Sequence, residues 1–185
     1  MLRVISGKYK SRQIKEVKSD NTRPTTDKNK EILFNTLGQY FSGGRVLDLF
    51  AGSGALGIEA YSRGFSKVDF IDNSSLAIKT IKANVETLKI NLEDIVILKQ
   101  DAIDFLKKTS FSYDLIIIDP PYKMDNYLEI LDLISSRQLL NENGIIVMES
   151  DNNHDLPLNH RDLSKYKEKL MGYSKFSFYK KETNI

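Results

Sequence analysis

The chain has 185 residues, a net charge of +2, and 41% hydrophobic and 28% charged residues, a composition that suits one globular domain with its own core. It holds no cysteine, which excludes a disulfide framework and thiolate metal sites. No apolar run approaches the roughly 18 residues of a membrane span. "MLRVISGKYK" shows no secretory h-region, so the expected location is cytoplasmic.

In chain order, residues 2–18 mix polar and apolar positions around Gly7 and read as a short β-hairpin. Residues 25–41 read as a helix, with Leu33, Leu37 and Phe41 four apart, Thr26 as N-cap and Pro24 just outside. Five short apolar runs follow: "VLDLF" 46–50, "VDFID" 68–72, "IVIL" 95–98, "DLIIID" 114–119 and "IIVM" 145–148. Helical stretches at 55–63, 75–89, 102–108 and 127–137 separate them, the second with Ala77, Ile81, Val85 and Leu88 on one face. Apolar strands alternating with helices predict βαβ units and a parallel sheet. The polar stretch 150–162 reads as loop. "YKEKLMGYSKFSFYKK" then reads as an antiparallel hairpin turning near Gly172, with Phe176 and Phe178 alternating as in a half-buried strand. The expectation is one domain over 1–185, with 1–22 as a hairpin extension of a core at 23–185.

Residues 1–45 carry ten Lys/Arg against four Asp/Glu, whereas the remainder carries 17 against 21. This asymmetry fits a polyanionic partner met by the N-terminal part, and equally a solvated basic segment. On the first reading, Lys8, Lys10 and Arg12 contact a phosphate backbone.

The first apolar run leads into "DLFAGSGALGIEA", 48–60. Gly52, Gly54 and Gly57 fit G-x-G-x-x-G between a strand and a helix, where a tight turn and close backbone approach to a ligand are needed. Asp72 ends the next strand, 20 residues after Gly52, where a carboxylate can accept both ribose hydroxyls of an adenosine. These features alone fit a dinucleotide as well as S-adenosylmethionine. Asp48, inside the first strand, tilts the reading, because a negative crevice suits an ammonium and a sulfonium better than a pyrophosphate. Asp101, with Ala102 beside it, can meet an adenine amino group. Asp48, Asp72, Asp101 and Asp119 then ring one pocket at the carboxyl edge, where open α/β sheets bind ligands. Acids at strand ends also cap helices, so each has a structural alternative. The expected cofactor contacts are Asp48, Phe50, Gly52, Ser53, Gly54, Asp72, Asn73, Asp101, Ala102 and Asp119.

The fourth strand stops in "DPPY", Asp119 to Tyr122. Proline cannot continue a central strand, and two prolines fix two φ angles. Asp119, the Pro120 carbonyl and the Tyr122 ring are therefore held in a stiff loop, positioned by Pro121. An exocyclic amine on a planar heterocycle fits that set: two acceptors for its N–H groups and a ring to stack on. Holding the amine against an electrophilic methyl supplies much of the rate.

Together, "DLFAGSGALG" and "DPPY" resemble the class I S-adenosylmethionine-dependent N-methyltransferases. "RPTTDKNKEILFNTL", 23–37, resembles the N-terminal motif of RsmD-like 16S rRNA guanine-N2 methyltransferases. That resemblance covers almost the whole chain. It implies a Rossmann-like α/β fold with a seven-stranded, mostly parallel sheet and one antiparallel strand near the end. It also implies S-adenosyl-L-methionine as cofactor, and 16S rRNA or the small ribosomal subunit as partner, with Arg23, Thr25 and Thr26 near the active site. No metal and a monomeric state are expected. Two departures stand out: Asp72 where glutamate is more usual, and Lys28 and Lys30 where arginine is, so that phosphate would meet point charges rather than forks.

Three competing readings remain. An adenine-N6 methyltransferase also uses DPPY, but no target-recognition domain is visible. An NAD-dependent oxidoreductase shares the glycine loop, but Asp48 and DPPY count against it. A non-enzymatic RNA-binding module leaves the acidic pocket unexplained. His154 and His160 lie in a polar stretch with no expected metal or acid–base role.

Overall fold

The computed structural model describes residues 1–18 and 26–182. Two strands, β1 (Leu2–Arg3) and β2 (Gln13–Ile14), pair antiparallel as a small hairpin. Helix α1 (Asp27–Leu37) follows, its first turn closed by the Thr26 hydroxyl, which accepts from the Asn29 N–H at 3.2 Å. Then come β3 (Arg45–Leu49), α2 (Ala55–Ser62), β4 (Lys67–Asp72), α3 (Ser75–Leu88), β5 (Ile95–Lys99), α4 (Ala102–Lys108), β6 (Tyr113–Ile118) and α5 (Tyr127–Ser136). The chain ends in β7 (Leu140–Asp151), β8 (Asn159–His160), β9 (Leu163–Met171) and β10 (Ser174–Lys181).

The main sheet has the order β5-β4-β3-β6-β7-β10-β9-β8. Strands β3 to β7 pair in parallel, while β10 runs antiparallel to both β7 and β9. The doubly wound, Rossmann-like class is as expected, with eight strands rather than seven. The eighth, β8, is a two-residue pairing of Asn159 and His160 against β9 inside the stretch read as loop. The last parallel strand is also longer than "IIVM". Its polar start, Leu140–Asn143, hides the strand from hydropathy, yet Leu140 pairs with Tyr113 before a register shift.

Side chains alternate between two cores. Val46, Val68, Phe70, Leu115, Ile117, Val147, Phe176 and Phe178 pack under α1, α2, α3 and the N-terminal hairpin. Leu47, Leu49, Ile116, Ile118, Ile146 and Met148 pack under α4 and α5. Strand order reverses between β3 and β6, which lie side by side with Leu49 opposite Ile118. That reversal opens a crevice at the carboxyl ends of the two strands.

The N-terminal hairpin is anchored on α2. Buried Glu59 accepts from the Ile5 and Ser6 N–H groups at 2.8 and 3.0 Å and from Arg63 Nε at 2.8 Å. At Gly7 (φ 85°) a Cβ would stand 1.8 Å from the Ser62 carbonyl oxygen, so only glycine fits. Lys30 does not reach solvent: it is fully buried, bonded to the Arg3 carbonyl and 4.0 Å from Glu59. Burial holds its pKa below the usual lysine value, against the pull of Glu59 and Asp27. The expectation that Lys30 meets phosphate is therefore corrected, whereas Lys28 is exposed. Among the described residues no helix is long and apolar enough to cross a membrane.

Candidate active site

The glycine loop sits on the β3 side of the crevice. Phe50 leaves the strand at φ 64°, a left-handed conformation that costs a bulky residue roughly 1–2 kcal/mol. This strained turn is invisible in the sequence. It lets the Ala51 N–H reach the Ile71 carbonyl at 3.0 Å and starts a compact loop closed by Gly54 N–H to Ala51 O at 2.8 Å. The three glycines do different work. A Cβ on Gly52 (φ 56°) would meet nothing within 4 Å, so open space faces it. Gly54 (φ 79°) takes the left-handed N-cap position of α2. A Cβ on Gly57 would stand 2.5 Å from the Phe70 ring and 2.9 Å from the Asp48 carboxylate, so the third glycine lets α2 lie against the sheet.

The acids are less open than their sequence positions suggest. Asp48 is 1% exposed and accepts from the Gly57 N–H at 2.9 Å. Burial raises its pKa to about 8 against that hydrogen bond, with Asp72 adding to the rise. Asp48 is thus a neutral carboxyl beneath the loop at pH 7 rather than a charge standing in the crevice. Asp72 bridges two elements, accepting from Gly52 N–H at 2.9 Å and from Ser74 N–H at 2.8 Å. Each carboxylate oxygen retains room for a second bond, so these contacts leave acceptor capacity. Exposed Asn73 lies between them, and Ser74 caps α3. Asp101 caps α4, accepting from Asp104 N–H at 3.1 Å, with Ala102 buried beside it. Its capping role is the alternative open at sequence level, and both ends of an exposed carboxylate can serve at once.

Asn84 of α3 carries no motif and is 1% exposed. Its carboxamide donates to the Ser53 carbonyl and to the Lys15 carbonyl, both at 3.0 Å, and accepts from the Lys15 N–H at 2.7 Å. One side chain thus ties the glycine loop to the N-terminal segment. Only long-range contacts reveal it.

The DPPY loop sits on the β6 side. Asp119 and Pro120 are half-buried, Pro121 is exposed, and Tyr122 is 56% exposed. Met124 N–H closes a turn onto the Pro121 carbonyl at 3.0 Å. Because Ile118 is registered with Met148, Glu149 of β7 lies next to Asp119. Buried Tyr127 packs its ring 4.6 Å from that of His154. Its hydroxyl pKa is pushed up to about 12 by burial, with Asp119 and Glu149 the leading charges. A neutral hydroxyl and a second carboxylate therefore accompany Asp119, neither marked by the motif.

Among the expected RNA contacts, Thr26 caps α1, and Arg23 and Thr25 lie outside the described residues. Lys8, Lys10 and Arg12 are exposed. They lie at the far end of α2 and α3 from the glycine loop: Lys8 N–H donates to the Ser62 carbonyl at 2.8 Å, and Arg12 to the Thr87 carbonyl at 3.2 Å. An eight-residue helix separates that turn from the loop, roughly 12 Å.

The family model described as "conserved hypothetical protein 95" matches residues 2–180. The chain is 44% identical over 183 residues to YlbH of Bacillus subtilis, covering 97% of this chain and 99% of that one. It is 32% identical over 180 residues to the ribosomal RNA small subunit methyltransferase D of Haemophilus influenzae, covering 96% and 93%. The chain belongs to the RsmD-like methyltransferase family. The solved structure of yhhF from Escherichia coli superposes on this RsmD-like chain with a TM-score of 0.86 at 30% identity, covering 98% of each. SMU.776, solved with S-adenosylhomocysteine, shares the fold at a TM-score of 0.68 and 18% identity, over 82% of this chain and 49% of that one. The sequence resemblance and the class I fold both hold.

Proposed function

We propose that this chain transfers a methyl group from S-adenosyl-L-methionine to the exocyclic N2 of a guanine in 16S rRNA. The single observation that carries the reading is the pairing of β3 with β6, Leu49 opposite Ile118, which sets the glycine loop and DPPY at one crevice. The open space at Gly52, with Asp72 and Asp101 at neighbouring strand ends, fits an adenosine and its ribose. The cofactor, when bound, supplies a methyl on a sulfonium, and the sulfur keeps the bonding electron pair when the methyl leaves. Asp48 beneath the loop can ionise as the cationic donor enters. Asp119 and the Pro120 carbonyl accept the two N–H bonds of the target amine, turning its lone pair out of the ring plane and toward the methyl. Tyr122 covers the base face. The proton lost by the alkylated nitrogen passes toward Asp119 or water. Relatives named as small-subunit rRNA methyltransferases support the RNA class; guanine N2 is the finer reading.

The test is single-turnover transfer from labelled cofactor to small-subunit rRNA, with the modified nucleoside identified by mass spectrometry. N2-methylguanosine is expected. N6-methyladenosine moves the chain to adenine chemistry, and absence of transfer to rRNA removes the reading.

A further inference from the structure

The basic N-terminal turn lies a helix length from the crevice, and the opposite end of the sheet offers another surface. Residues 163–175 read "LSKYKEKLMGYSK". Strand β9 runs in the same direction as β7, because β10 is antiparallel to both. The β9–β10 turn therefore emerges at the carboxyl edge, with Ser174 registered to Asp151, two residues beyond Glu149. At this turn Leu170 is 70% and Tyr173 76% exposed, and two strands away stands Tyr122 at 56%. Scattered exposed apolar residues are ordinary, but these share one edge with the DPPY loop. Lys167 and Lys169 are exposed, opposite Phe178 and Phe176. The platform is firm: Phe176 and Phe178 are buried, the Asn152 N–H donates to the Tyr173 carbonyl at 3.1 Å, and the Asn152 side chain bonds the Gly172 carbonyl.

We propose that the turn at Leu170–Tyr173, with Lys167 and Lys169, is the surface on which the single-stranded rRNA flanking the target base lies. Tyr173 stacks on a neighbouring base, and the two lysines meet phosphates. Aromatic faces interleaved with cations are the recognition chemistry of single-stranded RNA, and this turn shares the carboxyl edge of the sheet with Tyr122. This inference rests on the rRNA reading above. Lysines on the part of β9 that extends past β8 also guard against edge-to-edge pairing. That role does not require an exposed tyrosine at the turn.

The test uses the full chain and a 16S rRNA fragment, with methyl transfer by the wild type and binding measured across a salt series. Tyr173→Ala should weaken RNA binding on the order of tenfold, with Tyr173→Phe restoring it. The double variant Lys167→Glu/Lys169→Glu should lower the salt slope by roughly 0.7 per lost contact. Affinity for S-adenosylhomocysteine and thermal stability should match wild type in all three. Wild-type RNA affinity and slope in Tyr173→Ala and in the double variant would overturn the proposal. Failure of the wild type to methylate rRNA would instead overturn the functional reading, while RNA binding by these variants would still decide the surface.

Discussion

The two loops that face each other across the crevice are made rigid by different means. On the β3 side, hydrogen bonds hold the loop from several directions: Ala51 to Ile71, Gly52 to Asp72, Ser53 to Asn84, Gly57 to Asp48. On the β6 side, two proline rings and one closed turn do the same work with little burial. The first loop is welded into the core and the second stands clear of it. Substitutions should therefore separate: those in the glycine loop should change folding or cofactor affinity, and those in DPPY should change base capture and chemistry with the fold intact.

The largest expected effect is on chemistry. Asp119→Ala should lower single-turnover methyl transfer by about 10²–10³, or roughly 3–4 kcal/mol, by analogy with deletion of a preorganised donor. Thermal midpoint and S-adenosylhomocysteine affinity should stay near wild type, because the cofactor loop is tied elsewhere. A parallel loss of cofactor affinity would show that the two loops are not separable.

Next come the glycines, which divide the donor loop itself. Gly57→Ala puts a methyl 2.5 Å from the Phe70 ring and should cost about 1–3 kcal/mol of stability as an overpacked core. Gly52→Ala meets no protein atom, so it should lower stability by only about 1 kcal/mol through its positive φ, while cofactor affinity falls more. Unfolding followed with and without S-adenosylhomocysteine reads both. Equal effects at the two positions would erase the distinction.

Asn84→Ala should act in between. Losing its carboxamide leaves the Ser53 and Lys15 carbonyls without this donor, at roughly 1–3 kcal/mol. Cofactor affinity should weaken even though Asn84 is two elements away from the motif. Hydrogen exchange at Lys15 and over 52–57 should speed up together; faster exchange at Lys15 alone would show that the loop does not depend on this bond.

The last effect is read as a slope with pH rather than as a loss at one pH. An unfolded aspartate titrates near ~3.9, whereas buried Asp48 titrates at about 8. Below pH ~4 both states are protonated and the group contributes no pH dependence. Between ~4 and 8 the unfolded state loses its proton while the folded state keeps it, so stability falls as pH rises; above 8 the loss is complete. Asp48→Asn keeps an acceptor for Gly57 and removes this slope. Urea unfolding at pH 5 and pH 8 should show a smaller pH difference in the variant than in wild type, and equal differences would mean Asp48 is ionised in the fold.

Much of this site could be read from the sequence, because its largest signals are local. A strand ending in glycines or prolines announces its loop, and five apolar runs divided by helical periodicities define the sheet. What escaped reading acts across distance. Asn84 and Tyr127 look like ordinary helix residues until the chain folds back on them. Lys30 looks like surface charge, yet Glu59, 29 positions on, draws it under the hairpin. Phe50 carries its strain in a dihedral angle that composition does not encode. Asp48 reads as a charge in the crevice, whereas burial raises its pKa to about 8.

The anchoring of the N-terminal hairpin also bears on how the chain acquires its fold. Its partners are Glu59, Ser62, Asn84 and Thr87, at sequence separations reaching 75 residues. During synthesis this hairpin thus finds its place only after α2 and α3 have emerged. At synthesis rates of about 5–20 residues per second, Arg12 waits roughly 4–15 s for Thr87. The apolar side chains of Leu2, Val4 and Ile14, all buried in the fold, lack these partners through that interval, so the hairpin closes only after the helices that hold it.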